Sequence, residues 1–323
     1  MRVAPKTRAF FDRLKKEANE NPTSPIDQIP IETLRSATIE SFREYAGPLP
    51  EGVSASSFKN YFFKLSEENK TRAKIYTPER FDSRAGSTVI FFQGNGYIFN
   101  MLEAHLPGIA RMANAANCQV IAIDTPLAPE HTAREINDMA YATVCYIFRN
   151  ADNLDVNTDK LVLAGYSSGG NIVANIINRA RTDSMMKFKH QLLLSPCLDL
   201  SLQTYLDNPY VDYQNKDEMV SLENLRYLMK QYYKNTDPRT PLISPMFASD
   251  LSGVPPTTIV LAEFDGVRGD GEMYAKRLEA FAVPVEVIIC KGQAHSYFIA
   301  RGMMDDDPDP AIVMAEAILK NSV

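Results

Sequence analysis

The stretch Leu161 to Asn171, LVLAGYSSGGN, constrains this chain more than any other. Leu161 to Ala164 is a short apolar run suited to a buried strand, and Ile172 to Ile177 resumes at once with helix-compatible apolar spacing. Only a tight turn fits between them. Gly165 and Gly169 stand two residues before and two after Ser167, the pattern G-x-S-x-G, in which small residues keep strand and helix clear of a serine held in a strained turn. That geometry lifts the Ser167 hydroxyl above the sheet edge and turns the first helical N–H groups toward the place where an oxyanion would develop. Ser167 is therefore the candidate nucleophile. Ser168 is the weaker choice, because Tyr166 occupies the position two before it where a small residue is needed. The bland alternative for such a pentapeptide is an ordinary turn, and the strand and helix on either side weigh against it.

Around this turn the chain reads as alternating strands and helices. Two helices come first, between Ala9 and about Ala46, with a break from Pro22 to Pro30 and apolar stripes carrying Phe10, Phe11 and Leu14, then Leu34, Ile39 and Phe42. Phe58 to Leu65 and Arg72 to Tyr76 alternate as two strands joined by a turn. Thr88 to Phe92 is a continuous apolar run, as in a strand covered on both faces, and it ends in Gln93-Gly94-Asn95-Gly96-Tyr97. A helix is expected near Pro107 to Asn117, a strand over Gln119 to Asp124, a helix from about Arg134 to Phe148, and a strand over Gln191 to Leu194. From Leu198 to about Pro245 the rhythm breaks, with no strand but a helix capped by Ser221 and six tyrosines: Tyr205, Tyr210, Tyr213, Tyr227, Tyr232 and Tyr233. They read either as packing against the sheet domain or as pocket lining. Thr257 to Ala262 resumes the sheet, Met273 to Phe281 is helical, Val285 to Ile289 is the last strand, and Asp309-Pro310 opens a terminal helix. The fold class expected is α/β, a mostly parallel central sheet with helices on both faces.

Composition narrows the partners. The 323 residues carry a formal charge of −6, which leaves no basic footprint for nucleic acid or for an anionic membrane surface. The four cysteines, Cys118, Cys145, Cys197 and Cys290, lie far apart in apolar segments without C-x-x-C spacing and read as reduced core residues. No run reaches the length of a membrane span and the N-terminal stretch is charged throughout, so no stable membrane anchor is expected and the cytoplasm is the default compartment. Asp305 to Asp307 reads as a solvated turn, and no metal site is expected. The G-x-G of Gly94 to Gly96 lacks the third glycine of a dinucleotide loop, since Phe99 stands there. The remaining partner is a small molecule. The chain is also compatible with a homodimer formed through edge strands or helices.

A serine hydroxyl needs a base beside it and a group to orient that base. The chain has four histidines. His105 follows the Gly-rich loop, His131 sits in Ala128-Pro129-Glu130-His131, His190 abuts a strand, and His295 falls just after the last one. In hydrolases built on such an elbow the order is serine, acid, histidine. His295 meets it, with Asp265, just past the strand Thr257 to Ala262, as the acid that would accept its Nδ1–H. Glu263, still at the strand end, and Asp270, nearer the next helix and suited to capping it, compete for that role.

Asp124 to His131, Gly165 to Asn171, Ala262 to Arg268 and His295 together resemble the hormone-sensitive-lipase-like esterases over nearly the whole chain. The resemblance implies an α/β-hydrolase sheet with a helical cap from the N-terminus plus an insertion: residues 1–50 as the cap segment, 51–197 and 246–323 as the catalytic domain, and 198–245 as inserted cap helices. It implies hydrolysis of short- to medium-chain carboxylic esters without a cofactor. Ser167, Asp265 and His295 match the family triad. Its H-G-G-G oxyanion loop maps onto Gln93-Gly94-Asn95-Gly96, and the residue after its nucleophile onto Ser168, which makes Gly94, Asn95, Gly96 and Ser168 the expected oxyanion hole. Gln93 for histidine, Asn95 for glycine, Tyr166 for aspartate and Thr125-Pro126 for Tyr-Arg are departures. Asn95 is expected to tolerate a positive φ and so preserve the loop, and Gln93 to hold the loop through its own donor and acceptor. Amide or peptide hydrolysis on the same triad, and ligand binding on a hydrolase scaffold, are the alternative activities.

Overall fold

The computed structural model describes residues 3–20, 24–183, 186–206, 221–305 and 307–321. Helices α1 (Pro5–Glu20) and α2 (Ile31–Tyr45) come first, followed by the hairpin β1 (Lys59–Lys64) and β2 (Lys70–Tyr76). The chain then alternates: β3 (Thr88–Phe92), α3 (Leu102–Ala116), β4 (Gln119–Asp124), α4 (Ala133–Arg149), β5 (Leu161–Tyr166), α5 (Ser168–Ala180) and β6 (His190–Leu194). A short α6 (Gln203–Leu206) and α7 (Leu222–Tyr233) intervene before β7 (Thr257–Phe264), α8 (Arg268–Ala280), β8 (Val285–Ala294) and α9 (Pro310–Asn321). The eight strands form one sheet in the order β1-β2-β4-β3-β5-β6-β7-β8. Only β2 runs against its neighbours. Every residue of β3 and of β5 is buried. Successive side chains of a strand point to opposite faces, so both faces of the sheet are covered, which is why these strands read as unbroken apolar runs.

From β3 the chain crosses first to β4 on one side and then back to β5 on the other. Such a reversal opens a crevice at the carboxyl ends of the two strands, the usual ligand position in open α/β sheets. Gln93 to Gly96 leave β3 there and Ser167 leaves β5 there. Asp265 and His295 follow the carboxyl ends of β7 and β8 on the same edge.

Several boundaries differ from the sequence expectation. Helix α3 begins five residues before Pro107, which sits inside it; Leu102, Ala104, His105 and Leu106 are all buried, and that burial outweighs the backbone bond a proline cannot make. Helix α8 begins at Arg268, ahead of Met273, across two glycines that disguise it. Gly271 is there because a Cβ would come within 2.5 Å of the Leu261 side chain on β7, so the helix can lie close to the strand only without one. Strand β8 runs on past Ile289 to Ala294, opposite a β7 that bulges between Ala262 and Phe264, so His295 follows the strand directly instead of ending a loop. Asp305 is not simply solvated: its carboxylate accepts from the N–H and hydroxyl of Thr7 and ties α1 to the far end of the chain. Asp306 of that turn lies outside the described residues.

Asp270 does not cap its own helix. Its carboxylate accepts from the Leu198 and Asp199 N–H groups at 2.7 and 2.9 Å and from the Thr204 hydroxyl at 2.6 Å, tying the start of the 198–245 excursion to α8. Burial raises Asp270 to about 7, while burial lowers His190, on Thr258, and His105 to about 4 each. The signs oppose. The two histidines stay neutral in the fold while the unfolded chain takes up protons below its value of 6.5, so stability falls as pH drops from 6.5 toward 4. Asp270 keeps a proton in the fold between 3.8 and about 7, so its contribution fades as pH rises through that window. His190→Gln removes one histidine without touching the others. The urea midpoint of this variant is expected to fall less between pH 7 and pH 5 than that of the parent, and equal falls would refute the assignment.

Candidate active site

The turn after β5 is as tight as its sequence demands. Ser167 has φ 53° and ψ −119°, a region costly for any residue with a Cβ. A Cβ on Gly165 would lie 2.4 Å from the Gly169 carbonyl oxygen, and one on Gly169 would lie 2.1 Å from that of Phe92. Neither position accepts a side chain, so the strand and helix can close on the serine only as written.

His295 Nε2 lies 2.9 Å from Ser167 Oγ, and His295 Nδ1 lies 2.9 Å from Asp265 Oδ2. Asp265 Oδ1 accepts the Val267 N–H at 2.9 Å. All three side chains are buried. A carboxylate facing Nδ1 keeps the imidazole proton there and leaves the Nε2 lone pair for the serine hydroxyl. The competing acids are occupied elsewhere, Glu263 by the Gly292 N–H and Asp270 by the loop after β6. Among the other histidines, His190 is at the amino end of β6 and His131 follows the cis-proline turn beyond β4.

Three residues named in the sequence for other reasons were not read there as parts of this cluster. Tyr166 donates its hydroxyl to the His295 carbonyl at 2.7 Å and stacks on the imidazole at a centroid distance of 5.5 Å. Its size before the serine was the available signal. Cys197 lies with Sγ 3.6 Å from Ser167 Oγ and donates its N–H to the Ser167 carbonyl; burial pushes its thiol up, so it stays protonated. Tyr205 packs on the acid turn, where a Cβ at Gly266 would strike its ring at 2.2 Å.

The loop after β3 is pinned along its length. Gln93 donates its Nε2 to Asp124 Oδ1 at 2.9 Å, and Arg72 holds the other oxygen of that carboxylate. Gly94 donates its N–H to His105 Nε2 at 3.1 Å. His105 Nδ1 sits 2.8 Å from the Met101 carbonyl, which can only accept, so Nδ1 carries the proton and Nε2 is the acceptor. His105 is thus a further missed contributor, one that fixes the loop. Farther on, Arg35 of α2 donates to the Ile98 and Ala128 carbonyls and pairs bidentately with Glu130 at 2.7 Å. The Arg35 guanidinium holds Glu130 down at about 2.

Two expectations for this loop are corrected. Asn95 does not adopt a positive φ; that falls to Gly96 at 55° and Tyr97 at 68°. A Cβ on Gly96 would also come within 3.0 Å of the Leu228 side chain, so a larger residue there would be crowded as well as strained in φ. Of the four N–H groups expected to face an oxyanion, that of Gly94 is taken by His105, and that of Asn95 is taken by Ser168 Oγ at 2.9 Å. The Gly96 and Ser168 N–H groups make no hydrogen bond with the other described residues.

The cavity above Ser167 holds about 240 Å³ and is mostly apolar, with Leu34 and Phe42 of α2 on one side and Leu225, Leu228 and Met229 of α7 on another. Ser221 caps α7 by accepting the Asn224 N–H. Tyr232 is buried in packing, stacked on Tyr97 at 3.8 Å, and Tyr227 and Tyr233 are likewise not among the cavity residues. Tyr210 and Tyr213 lie outside the described residues. Among the described residues there is no group of three side chains suited to hold a metal ion, and no helix is long and apolar enough to cross a membrane.

Known proteins share this arrangement of elements. The profile of a family described by its alpha/beta hydrolase fold matches residues 89–299. An arylesterase of Saccharolobus solfataricus is 30% identical over 72% of this chain and 74% of its own length. An ethyl acetate hydrolase of Pseudomonas putida is 23% identical over 99% of both chains. Among solved structures, a hyperthermophilic esterase of the archaeon Pyrobaculum calidifontis superposes with a TM-score of 0.84 at 24% identity, covering 99% of each chain, a likeness of fold. With the eight-stranded sheet, the strained serine turn and a profile that spans most of the chain in hand, the protein belongs to the α/β-hydrolase family, in its hormone-sensitive-lipase-like esterase group.

Proposed function

We propose that this chain is a carboxylesterase that hydrolyses small carboxylic esters through an acyl-enzyme on Ser167. The observation that carries the reading is the unbroken run of 2.9 Å bonds from Ser167 through His295 to Asp265, opening on an apolar cavity. Ser167 Oγ attacks the ester carbonyl carbon while its proton passes to His295 Nε2. The carbonyl oxygen takes up the negative charge and is met by the Gly96 and Ser168 N–H groups, with the positive end of α5 behind the latter. Collapse of the tetrahedral intermediate breaks the bond to the alcohol oxygen, which leaves with the proton from His295. Water, deprotonated by the same imidazole, then repeats the attack on the acyl group and releases the acid, and Ser167 recovers its proton. Asp265 holds the imidazole in the productive tautomer and balances its charge. No step calls for a cofactor.

Residues 1–50 and 198–245 act as the cap in this reading, since α2 and α7 supply the apolar walls. The cavity is below the roughly 300–1,000 Å³ common for drug-sized ligands, which favours short acyl chains. The names of relatives, an arylesterase and an ethyl acetate hydrolase, support the same substrate class. Four free cysteines fit a reducing, cytoplasmic setting, and the exposed Val287 and Ile289 on edge strand β8 favour a homodimer.

A panel of p-nitrophenyl esters of graded length, with matching p-nitroanilides and an emulsified triglyceride, tests the function. Acetate and butyrate esters should turn over fastest and lose activity to a covalent serine inhibitor. Faster cleavage of the anilides would make the protein an amidase, faster cleavage of long-chain triglyceride would refute the size argument, and no turnover of any member would leave a binding protein on this scaffold.

A further inference from the structure

Ser168 and Asn95 are locked to each other across the site. Ser168 Oγ accepts the Asn95 N–H at 2.9 Å and lies 3.0 Å from Asn95 Oδ1. Asn95 Oδ1 also receives the Tyr97 N–H at 2.9 Å. A backbone N–H only donates, so this contact fixes which end of the Asn95 amide is the oxygen. The single proton of Ser168 Oγ therefore goes to Asn95 Oδ1, and its lone pair goes to the Asn95 N–H. Both side chains are buried and both residues line the cavity over Ser167.

The loop is held by bonds other than the one to Ser168. Gln93 is held by Asp124, Gly94 by His105, and Tyr97 by Asn95 Oδ1. The Asn95 carbonyl accepts from Ile98 and Phe99, the Tyr97 carbonyl accepts from Ala128, and Arg35 holds Ile98. What the Ser168 hydroxyl changes is the use of one N–H, in a loop that lines the cavity over Ser167. A backbone N–H has one proton, so while the Ser168 oxygen holds it that proton is not offered to an oxygen bound over Ser167.

We propose that Ser168 is a rate-setting residue whose hydroxyl withholds the Asn95 N–H from the developing oxyanion, so that the hole works with two backbone donors, Gly96 and Ser168, instead of three. This rests on the esterase reading above. The hydroxyl acts through Asn95 and touches no reacting atom. Its removal adds a donor that gains strength as negative charge grows on the carbonyl oxygen, so the effect belongs in kcat and leaves KM nearly unchanged.

Ser168→Ala is the test, with p-nitrophenyl acetate as substrate. One oxyanion donor is worth up to roughly 10²- to 10³-fold in kcat, and a rise of at least about 5-fold is expected here, since the new donor is not ideally aimed. KM should change by less than about twofold. Ser168→Thr, which restores a hydroxyl, should return kcat toward the parent value. Asn95→Gly keeps the N–H but removes the oxygen that orients the Ser168 hydroxyl, and it should shift kcat in the same direction as Ser168→Ala by less. Crystal structures of the diethylphosphoryl adducts of the parent and of Ser168→Ala give a second readout. The phosphoryl oxygen should meet Gly96 and Ser168 N–H in the parent, and the Asn95 N–H as well in the variant. Unchanged or lower kcat in Ser168→Ala, at an unchanged melting temperature, overturns the proposal, as does a parent adduct already bonded to the Asn95 N–H. A parent that turns over no ester defeats the esterase reading instead, and the adduct structures then decide this proposal alone; a parent that also forms no adduct sinks both.

Discussion

Ser167→Ala is expected to lower kcat for p-nitrophenyl acetate by at least roughly 10³-fold, with KM and melting temperature little changed, because the members of a triad act as a unit. The substitution removes the hydroxyl that stands 2.9 Å from His295 Nε2 and leaves the base with nothing to activate. The fold should tolerate the change. Serine and alanine carry the same Cβ into the strained φ of 53°, and the hydroxyl gives up its bonds to His295 and to the Cys197 thiol without disturbing the strand or helix beside it. Residual activity within tenfold of the parent would move the chemistry elsewhere, and Ser168 would be the first place to look.

Asp265→Asn should be nearly as damaging, at roughly 10²- to 10⁴-fold in kcat, and the hydrogen bonds say why. In the parent one carboxylate oxygen accepts the Val267 N–H while the other accepts from His295 Nδ1. An asparagine here must keep its oxygen on the Val267 N–H, because that group only donates, and its NH₂ then faces His295. The imidazole is driven to carry its proton on Nε2, toward Ser167, where it can no longer take the serine proton. KM should hardly move, since the Asp265 side chain is buried behind His295 and does not itself line the cavity. A loss smaller than tenfold would mean that Asp265 is a structural residue and that another group orients the histidine.

Much of this was legible in the sequence because short-range sterics wrote it there. Only a strand, a strained turn and a helix fit Leu161 to Ile177, and the elbow followed; chain order then drew Asp265 and His295 to the same sheet edge. The misread stretches share a cause in tertiary packing that local rules do not register. Pro107 and Gly271 look like helix boundaries, yet burial around α3 and the close approach of α8 to Leu261 carry the helices through them. Asp270 has the look of a cap because its partners, Leu198, Asp199 and Thr204, lie about seventy residues away. The oxyanion loop was the hardest to read. Motif mapping placed four donors, but which of them remain free depends on His105 and Ser168, whose lone pairs meet the loop only in the folded chain. Tyr166, read only as a departure from a motif, proves to brace the imidazole from behind.

Everything proposed for the chemistry depends on Ser167 alone being the activated nucleophile. Stoichiometric labelling with a fluorophosphonate, followed by peptide mass spectrometry, tests it most directly. One phosphonyl group per chain is expected on Ser167, with labelling abolished in Ser167→Ala, strongly slowed in Asp265→Asn, and protected against by a short-chain ester in excess. Label on Ser168, on several serines at once, or undiminished in Ser167→Ala would contradict it.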